Sequence, residues 1–409
     1  MALLQILIPQ HLCMCPRPQK EAMVLQSLGH EVVIRGVSVD EAKHERDMEI
    51  AQRLNLSWEF TDLRHNRGLR LLHRKGTQWL AQKGWRYLSH FTPELLGYGI
   101  RQTLQKSMES KADLTIAHGE PSLWVACELL KMGKRVGLDL EDWHSEDLLP
   151  SARVTRPITV LSKLEHTLLQ QGRYRVTTSN AMAQELERTH GVSVPRVVYN
   201  SFPLDFYGAK ESVPSKFSTS DKLRLVWFSQ VIGPGRGLEE LSVALQRLSD
   251  SERSQICCTL IGERKNCYEA WFQEHVFPLG DTFKIQPPVE PWNLGEKLQR
   301  HDVGLALETN TIRNRDLTIT NKVFQYLEAG LHVIATPTRG QREVFEYLGK
   351  LHHLLSDYTP TALQIVLQEL LHRESSTINR EQIIHQYEQQ FGWHHQAESI
   401  AQEVEAALK

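Results

Sequence analysis

Ser229-Gln230-Val231-Ile232-Gly233-Pro234-Gly235-Arg236-Gly237-Leu238-Glu239-Glu240 is the stretch on which the fold turns. The apolar run Leu223–Phe228 precedes it and reads as a buried strand, and a helix opens at Leu238. Gly233, Gly235 and Gly237 let backbone N–H groups approach an anion, and the helix N-terminus adds partial positive charge. Arg236 can neutralise a phosphate directly. The plain alternative is a flexible strand-to-helix turn. A dinucleotide fingerprint needs Gly at its sixth position, where Leu238 stands here, so the spacing argues against a dehydrogenase.

Further along, the strand Asp302–Leu307 is followed by a polar loop, 308–318, and then Thr320-Asn321-Lys322-Val323-Phe324-Gln325-Tyr326-Leu327-Glu328-Ala329-Gly330. Thr320 suits an N-cap, with Val323, Phe324 and Leu327 as the apolar stripe. Asn321 and Lys322 then project from the first helical turn, where a lysine meets phosphate as a point charge. Gln325, one turn on, has the groups to bond a ribose. Read alone, the segment is a capped helix with solvated Lys and Gln.

The same alternation of short apolar runs and amphipathic segments fills both halves of the chain. Leu3–Ile8, Glu31–Arg35, Asp113–Ala117, Arg135–Asp139 and Tyr174–Thr178 read as strands before the linker. Leu223–Phe228, Ile256–Ile261, Asp302–Leu307 and His332–Ala335 follow it. This pattern predicts an α/β protein with two doubly wound, Rossmann-like domains, whose ligand sites lie outside the carboxyl ends of the strands. Two such domains facing one another would enclose a cleft. The expected boundaries are a first domain over 1–202, a linker over 203–222, a second domain over 223–390 and a returning C-terminal segment over 391–409.

Length and composition agree with that plan. The 409 residues are long for one core, 41% are apolar and 23% charged, and the net charge is −2, which gives no global pull toward nucleic acid. Six cysteines make no disulfide framework, and Cys13-Met14-Cys15 lacks the nearby ligands a metal site needs, so no metal is expected. The apolar N-terminus lacks the basic start of a signal peptide, and no run of 18 apolar residues occurs. The expected location is the cytoplasm, with membrane contact only at the surface.

In the first half, His118 and Glu120 follow the strand Asp113–Ala117. A lone histidine at a strand end is commonly structural. Asp139-Leu140-Glu141-Asp142-Trp143-His144-Ser145-Glu146-Asp147 places five carboxylates in nine residues after another strand. There a carboxylate such as Asp142 or Glu141 can act as a base or bind hydroxyls, against the alternative of a solvated acidic loop.

These segments, in this order, resemble the donor domain of GT-B glycosyltransferases: the Gly turn with Arg236-Gly237, then Asp302-Val303-Gly304-Leu305, then Asn321-Lys322 with Tyr326-Leu327 and Ala329-Gly330. The likeness is to the large retaining group of bacterial polysaccharide and natural-product enzymes, family 4-like. Arg17-Pro18-Gln19-Lys20-Glu21-Ala22, Leu28-Gly29-His30-Glu31-Val32, Ser179, Val198-Tyr199-Asn200 and Phe391-Gly392-Trp393 carry it across nearly the whole chain. The resemblance implies metal-independent transfer of a sugar from a nucleoside-diphosphate sugar, UDP- or GDP-linked, to a hydroxyl of a glycan, lipid-linked sugar or small molecule. It implies no cofactor beyond that donor, a His118 near the transferred sugar, and a crossing C-terminal helix. Many members carry two glutamates eight positions apart in the donor site. Leu317 and Gln325 stand at those positions, leaving Glu308 or backbone to meet the sugar. That departure keeps two alternatives open, a non-catalytic sugar-nucleotide-binding or partner-binding relative and a GT-B sugar-nucleotide epimerase.

Between Leu63 and Pro93 there is no acidic residue, while Arg64, Arg67, Arg70, Arg74, Lys75, Lys83 and Arg86 alternate with Leu71, Leu72, Trp79, Leu80 and Trp85. A basic stretch with aromatics suits an anionic membrane surface or a phosphorylated acceptor, against the alternative of an ordinary basic helix. Nucleic acid is not expected, since no recognised binding motif is present.

Overall fold

The computed structural model describes residues 1–64, 69–149, 153–203, 222–372 and 379–409, with 69–74 and 350 described by backbone alone. Most of the expected linker, 204–221, lies outside the described residues, as does Arg67 of the basic stretch. The chain divides into two compact units, Met1–Tyr199 with His395–Lys409, and Asn200–His394.

The first unit is built on strands β1 (Leu3–Leu7), β2 (Glu31–Ser38), β3 (Ser57–Asp62), β4 (Leu114–His118), β5 (Val136–Leu140), β6 (Tyr174–Thr177) and β7 (Arg196–Val197). Their order in the sheet is β3-β2-β1-β4-β5-β6-β7, every pairing parallel. Parallel strands covered on both faces must be apolar on both, which is why β1 reads as a continuous run. Ile6 sits between Ile34 and Ile116, and Leu4, Ile6 and Leu7 are fully buried. Helices α1 (Pro16–Ser27), α2 (Glu41–Arg53), α3 (Leu69–Leu88), α4 (Ile100–Glu109), α5 (Glu120–Lys131), α6 (Ile158–Gln171) and α7 (Asn180–His190) connect these strands.

The second unit repeats the scheme with β8 (Leu223–Ile232), β9 (Ile256–Arg264), β10 (Phe283–Gln286), β11 (Val303–Ala306), β12 (His332–Ala335) and β13 (His353–Leu354). The order is β10-β9-β8-β11-β12-β13, again all parallel. Its helices include α8 (Leu238–Arg247), α9 (Asp250–Ser254), α10 (Glu269–His275), α11 (Pro291–Gln299), α12 (Arg313–Leu317) and α13 (Asn321–Glu328). Trp227, Leu260, Phe272 and Leu305 fill its core. The helix Trp393–Leu408 belongs almost wholly to the first unit, where Gln396 accepts the Tyr199 N–H and Glu403 accepts that of Arg175.

In each sheet the order reverses direction beside its first strand: between β1 and β4, and between β8 and β11. Those reversals open a crevice at the carboxyl ends of the strands, where ligands of such sheets bind. Both clusters described next lie there.

Candidate functional site

In the second unit, β8 does not stop at Phe228 as its apolar run suggests. A bulge between Phe228 and Val231 carries the strand on to Ile232. The turn that follows has φ = +76° at both Gly235 and Gly237. Gly237 is doubly constrained: a Cβ there would sit 2.4 Å from the Cβ and carbonyl oxygen of Leu307. Only glycine brings the start of α8 against the end of β11. The Gly235 N–H donates to Glu239 at 2.8 Å, and the Trp271 indole donates to the same carboxylate oxygen at 2.9 Å, fixing the turn.

Directly after β11, Glu308 is buried and accepts a hydrogen bond from Lys322 Nζ at 2.6 Å. Lys322 is itself buried, 5.6 Å over the Trp227 ring. Thr320 is the N-cap residue of α13, but its side chain makes no capping bond; its hydroxyl lies 3.4 Å from Lys322 Nζ instead. Arg315, on α12, donates to the Gly235 carbonyl at 3.1 Å. The electrostatics identify what these groups add up to. Burial alone would raise the Glu308 carboxyl, but Lys322, with Arg236 and Arg315 beyond it, holds it below its ordinary value. Burial pulls Lys322 below its ordinary value as well, and Arg236 and Arg315 push the same way against Glu308. An isolated ion pair would hold the acid down and the base up. Lys322 moves down chiefly because it is buried, with the two arginines adding to that, and among these four side chains three cations face one anion, a balance of two positive charges.

The other expected donor residues take different positions. Asn321 accepts a hydrogen bond from Asn200 at 2.7 Å, so its carbonyl oxygen is engaged within the protein. Gln325 lies half-buried one turn on. Leu317 is fully buried, on the face of α12 that also buries Asn314. Arg315 was not legible as special, since Arg313 and Arg315 look alike in a polar loop; its bond to the Gly235 carbonyl distinguishes it.

In the first unit, His118 ends β4 and is buried, its Nε2 2.7 Å from Glu21 on α1. The other Glu21 oxygen accepts the Tyr174 hydroxyl at 2.5 Å. Because both carboxylate oxygens act as acceptors, Nε2 is assigned the proton. Burial would lower the pKa of His118, but Glu21 and then Asp139 raise it. One turn before Glu21, Arg17 donates to Asp139 at 2.7 Å and to the Val198 carbonyl at 2.9 Å. His118 Nδ1, Asp139 Oδ1 and Arg17 Nη2 are buried without a hydrogen-bond partner among the described residues. Glu21, His118 and Asp139 bring ligand-type atoms within 4.8 Å of one another. Their bonds to Tyr174 and Arg17 make this an ion-pair network, and a dication there would face the Arg17 guanidinium. Glu21, Arg17 and Asp139 are positioned by the fold in ways their helix and strand periodicity does not announce.

The acidic loop after β5 is clamped from below. Glu165 on α6 accepts the Ser145 N–H at 3.0 Å, the Ser145 hydroxyl at 2.6 Å and the Trp143 indole N–H at 3.2 Å. Burial pushes the Glu165 carboxyl up to about 7 against those three donors. Glu141 and Asp142 are half-buried on this loop. Burial, then Asp142, raises the Glu141 carboxyl, opposed by Arg17 and Lys20. Glu120 pairs with Arg156. Cys13 is an inert thiol, pushed up to about 12 by burial and Asp47.

No protein-family profile matches the chain, and no curated protein matches it in sequence. Its fold, however, is shared with several solved structures. HepE from Anabaena, in complex with UDP and glucose, superposes with a TM-score of 0.71 at 15% identity, over 99% of this chain and 100% of that one. A sucrose-phosphate synthase from Thermosynechococcus elongatus gives 0.70 at 12% identity, over 99% and 98%. A glycosyltransferase from Rickettsia africae gives 0.68 at 12%, over 100% and 99%. The fold is therefore that of GT-B glycosyltransferases, two Rossmann-like domains in succession.

Proposed function

We propose that the chain is a glycosyltransferase that moves a sugar from a nucleoside-diphosphate sugar to a hydroxyl acceptor. The observation that carries this reading is the doubly positive cluster of Arg236, Arg315 and Lys322 around Glu308 at the reversal point of the second sheet. A diphosphate matches that charge, and the N-terminus of α8 adds to it. As the anomeric bond breaks, negative charge collects on the departing diphosphate, and fixed cations in a dry site stabilise it without reorganising. The same arrangement can do this without a metal. UDP-sugars are the first donors to test, because the HepE structures hold UDP and UDP-glucose.

In the first unit, the acceptor hydroxyl must lose a proton. In an inverting reaction Asp142 or Glu141 takes it, and burial, then Asp142, makes the Glu141 carboxylate a stronger base than a free one. In a retaining reaction the departing phosphate takes it. His118, held by Glu21, is a group of the first unit with a hydrogen-bonding nitrogen to offer a sugar hydroxyl. The reaction belongs at the cytoplasmic side, where the donor is available.

A thermal-shift panel of UDP, GDP, dTDP and their sugars tests the proposal. One nucleotide should stabilise the fold, by about 2.7 kcal/mol at a hundred times its Kd. A folded protein that no nucleotide stabilises would sink the reading. Conversion of a donor to its epimer with no acceptor present would replace it with the epimerase alternative.

A further inference from the structure

We infer that the solvent face of α3 docks the protein peripherally on an anionic lipid surface. This is independent of the proposed chemistry. Over its described side chains, 75–88, the helix buries Ala81 and half-buries Gly76, Thr77, Gln78, Lys83, Gly84 and Trp85. Its other side leaves Trp79 55%, Leu80 61% and Tyr87 67% exposed, and Leu88, the last residue of the helix, is 78% exposed. At about 100° per residue, Lys75, Trp79, Lys83, Arg86, Tyr87 and Leu80 fall within roughly 140° of one another. Cations and rings are interleaved: Lys83 Nζ lies 5.6 Å from the Trp79 ring and 5.3 Å from Tyr87, with Arg86 5.7 Å from Tyr87.

The chemistry of that face selects its partner. No acidic residue occurs between Leu63 and Pro93 in a chain whose net charge is −2, so the patch is locally cationic on a near-neutral protein. Arg64 lies outside it, already neutralised by Asp62 and Glu41 at 2.7 and 2.9 Å. Nucleic acid would use the cations but leave Leu80 and Leu88 in water. A bilayer interface uses both, seating indole, phenol and leucine at headgroup depth while Lys and Arg meet phosphate. No described helix is long and apolar enough to cross a membrane, so the contact is with the surface only.

Sedimentation of the full chain with vesicles is the test, comparing neutral phosphatidylcholine with the same lipid carrying about 30 mol% phosphatidylglycerol. The protein should follow the anionic vesicles, and salt should release it as screening shortens. Replacing Lys83 and Arg86 together by Gln should cut partitioning about thirtyfold, at roughly fivefold per cation. Trp79→Ser with Leu80→Ser should also cut it while leaving the salt dependence. Trp79, Leu80 and Arg86 are exposed and Lys83 is half-buried, and unchanged urea midpoints will show that the variants fold. Equal binding to neutral vesicles, no vesicle binding, or partitioning that ignores both pairs of substitutions would overturn the inference. Retention on heparin or RNA without vesicle binding would do so too. Because UDP stabilisation is measured separately, either proposal can fail while the other stands.

Discussion

Replacing Glu308 with Gln isolates the charge balance on which the proposed function rests. The substitution keeps the size of the side chain and removes the single anion among Arg236, Arg315 and Lys322, so the cluster rises from two positive charges to three. Lys322 is then buried without its counter-charge. Breaking a buried pair costs about 3 kcal/mol of folding stability, the lower end of the usual range because the amide oxygen still accepts from Nζ. The same change should improve nucleotide binding. A unit charge about 6 Å from a phosphate, in an effective dielectric of about 20, is worth about 2.8 kcal/mol before screening by salt. Half of that, about 1.4 kcal/mol, corresponds to a tenfold tighter Kd for UDP. At a UDP concentration a hundred times the wild-type Kd, the nucleotide stabilises the wild type by about 2.7 and the variant by about 4.1 kcal/mol. Urea unfolding with and without UDP, paired with calorimetric titration, measures both quantities. The pH dependence has a defined sign. Glu308 titrates below its ordinary 4.5 in the folded protein, so its stabilisation is present above that value and lost as pH falls through the depressed one. The stability gap between wild type and Glu308→Gln should therefore close in acid. A variant that binds UDP more weakly would refute the reasoning, because Glu308 would then be touching the ligand.

Lys322→Met should do the opposite at the ligand, weakening UDP by thirtyfold or more while also destabilising the fold by about 3 kcal/mol, read by the same titrations. Gly237→Ala should cost several kcal/mol in urea unfolding, because its Cβ meets Leu307 at 2.4 Å. Gly235→Ala shares the φ of +76° but meets nothing within 4 Å, so about 1 kcal/mol is expected. Arg315→Ala should raise the Kd for UDP without moving the unfolding midpoint by more than about 1 kcal/mol, since Arg315 is half-buried and makes one backbone bond. Glu165 carries its proton up to about pH 7 in the folded state and only to 4.5 unfolded, so wild-type stability should fall by about 3 kcal/mol as pH rises through that window. Glu165→Gln should abolish that fall, as a pH series of urea curves will show.

The fold was readable where backbone chemistry shows in residue type. Three glycines between an apolar run and a helical stripe can hardly be anything but a strand-to-helix turn, and continuous apolar strands signal a parallel sheet. The end of β8 was not readable, because Ser229 and Gln230 break the run while a bulge carries the pairing past them. The candidate site was legible as residue types but not as partnerships. Glu308 and Lys322 stand 14 positions apart, and nothing short of the packed α13 shows that they bond. Thr320 has the composition of a cap, yet its hydroxyl lies beside that lysine. Leu317 aligns with a sugar-facing position by spacing alone, but α12 turns it inward with Asn314. Glu21 and Arg17 share the buried face of α1 with Pro18, Ala22 and Leu25, where a charged residue type gives no sign of burial. The sheet crevice buries them.

The two buried polar clusters bear on why charge survives in such places. A buried ion pair is weak evidence for stability, since apolar residues of the same volume often do as well or better. Arg17 with Asp139, and Lys322 with Glu308, are nevertheless both buried. Each lies at the reversal point of its own sheet, the one location in this topology where a ligand meets strand ends. Neither cluster is self-satisfied. Among the described residues the first leaves Arg17 Nη2, Asp139 Oδ1 and His118 Nδ1 without partners, and the second sets three cations around one carboxylate. Unpaired donors and acceptors that merely held the fold would be a net loss of about 1–3 kcal/mol each. The first cluster offers hydrogen bonds to a neutral polar group, as a sugar hydroxyl would be, and the second offers charge to an anion.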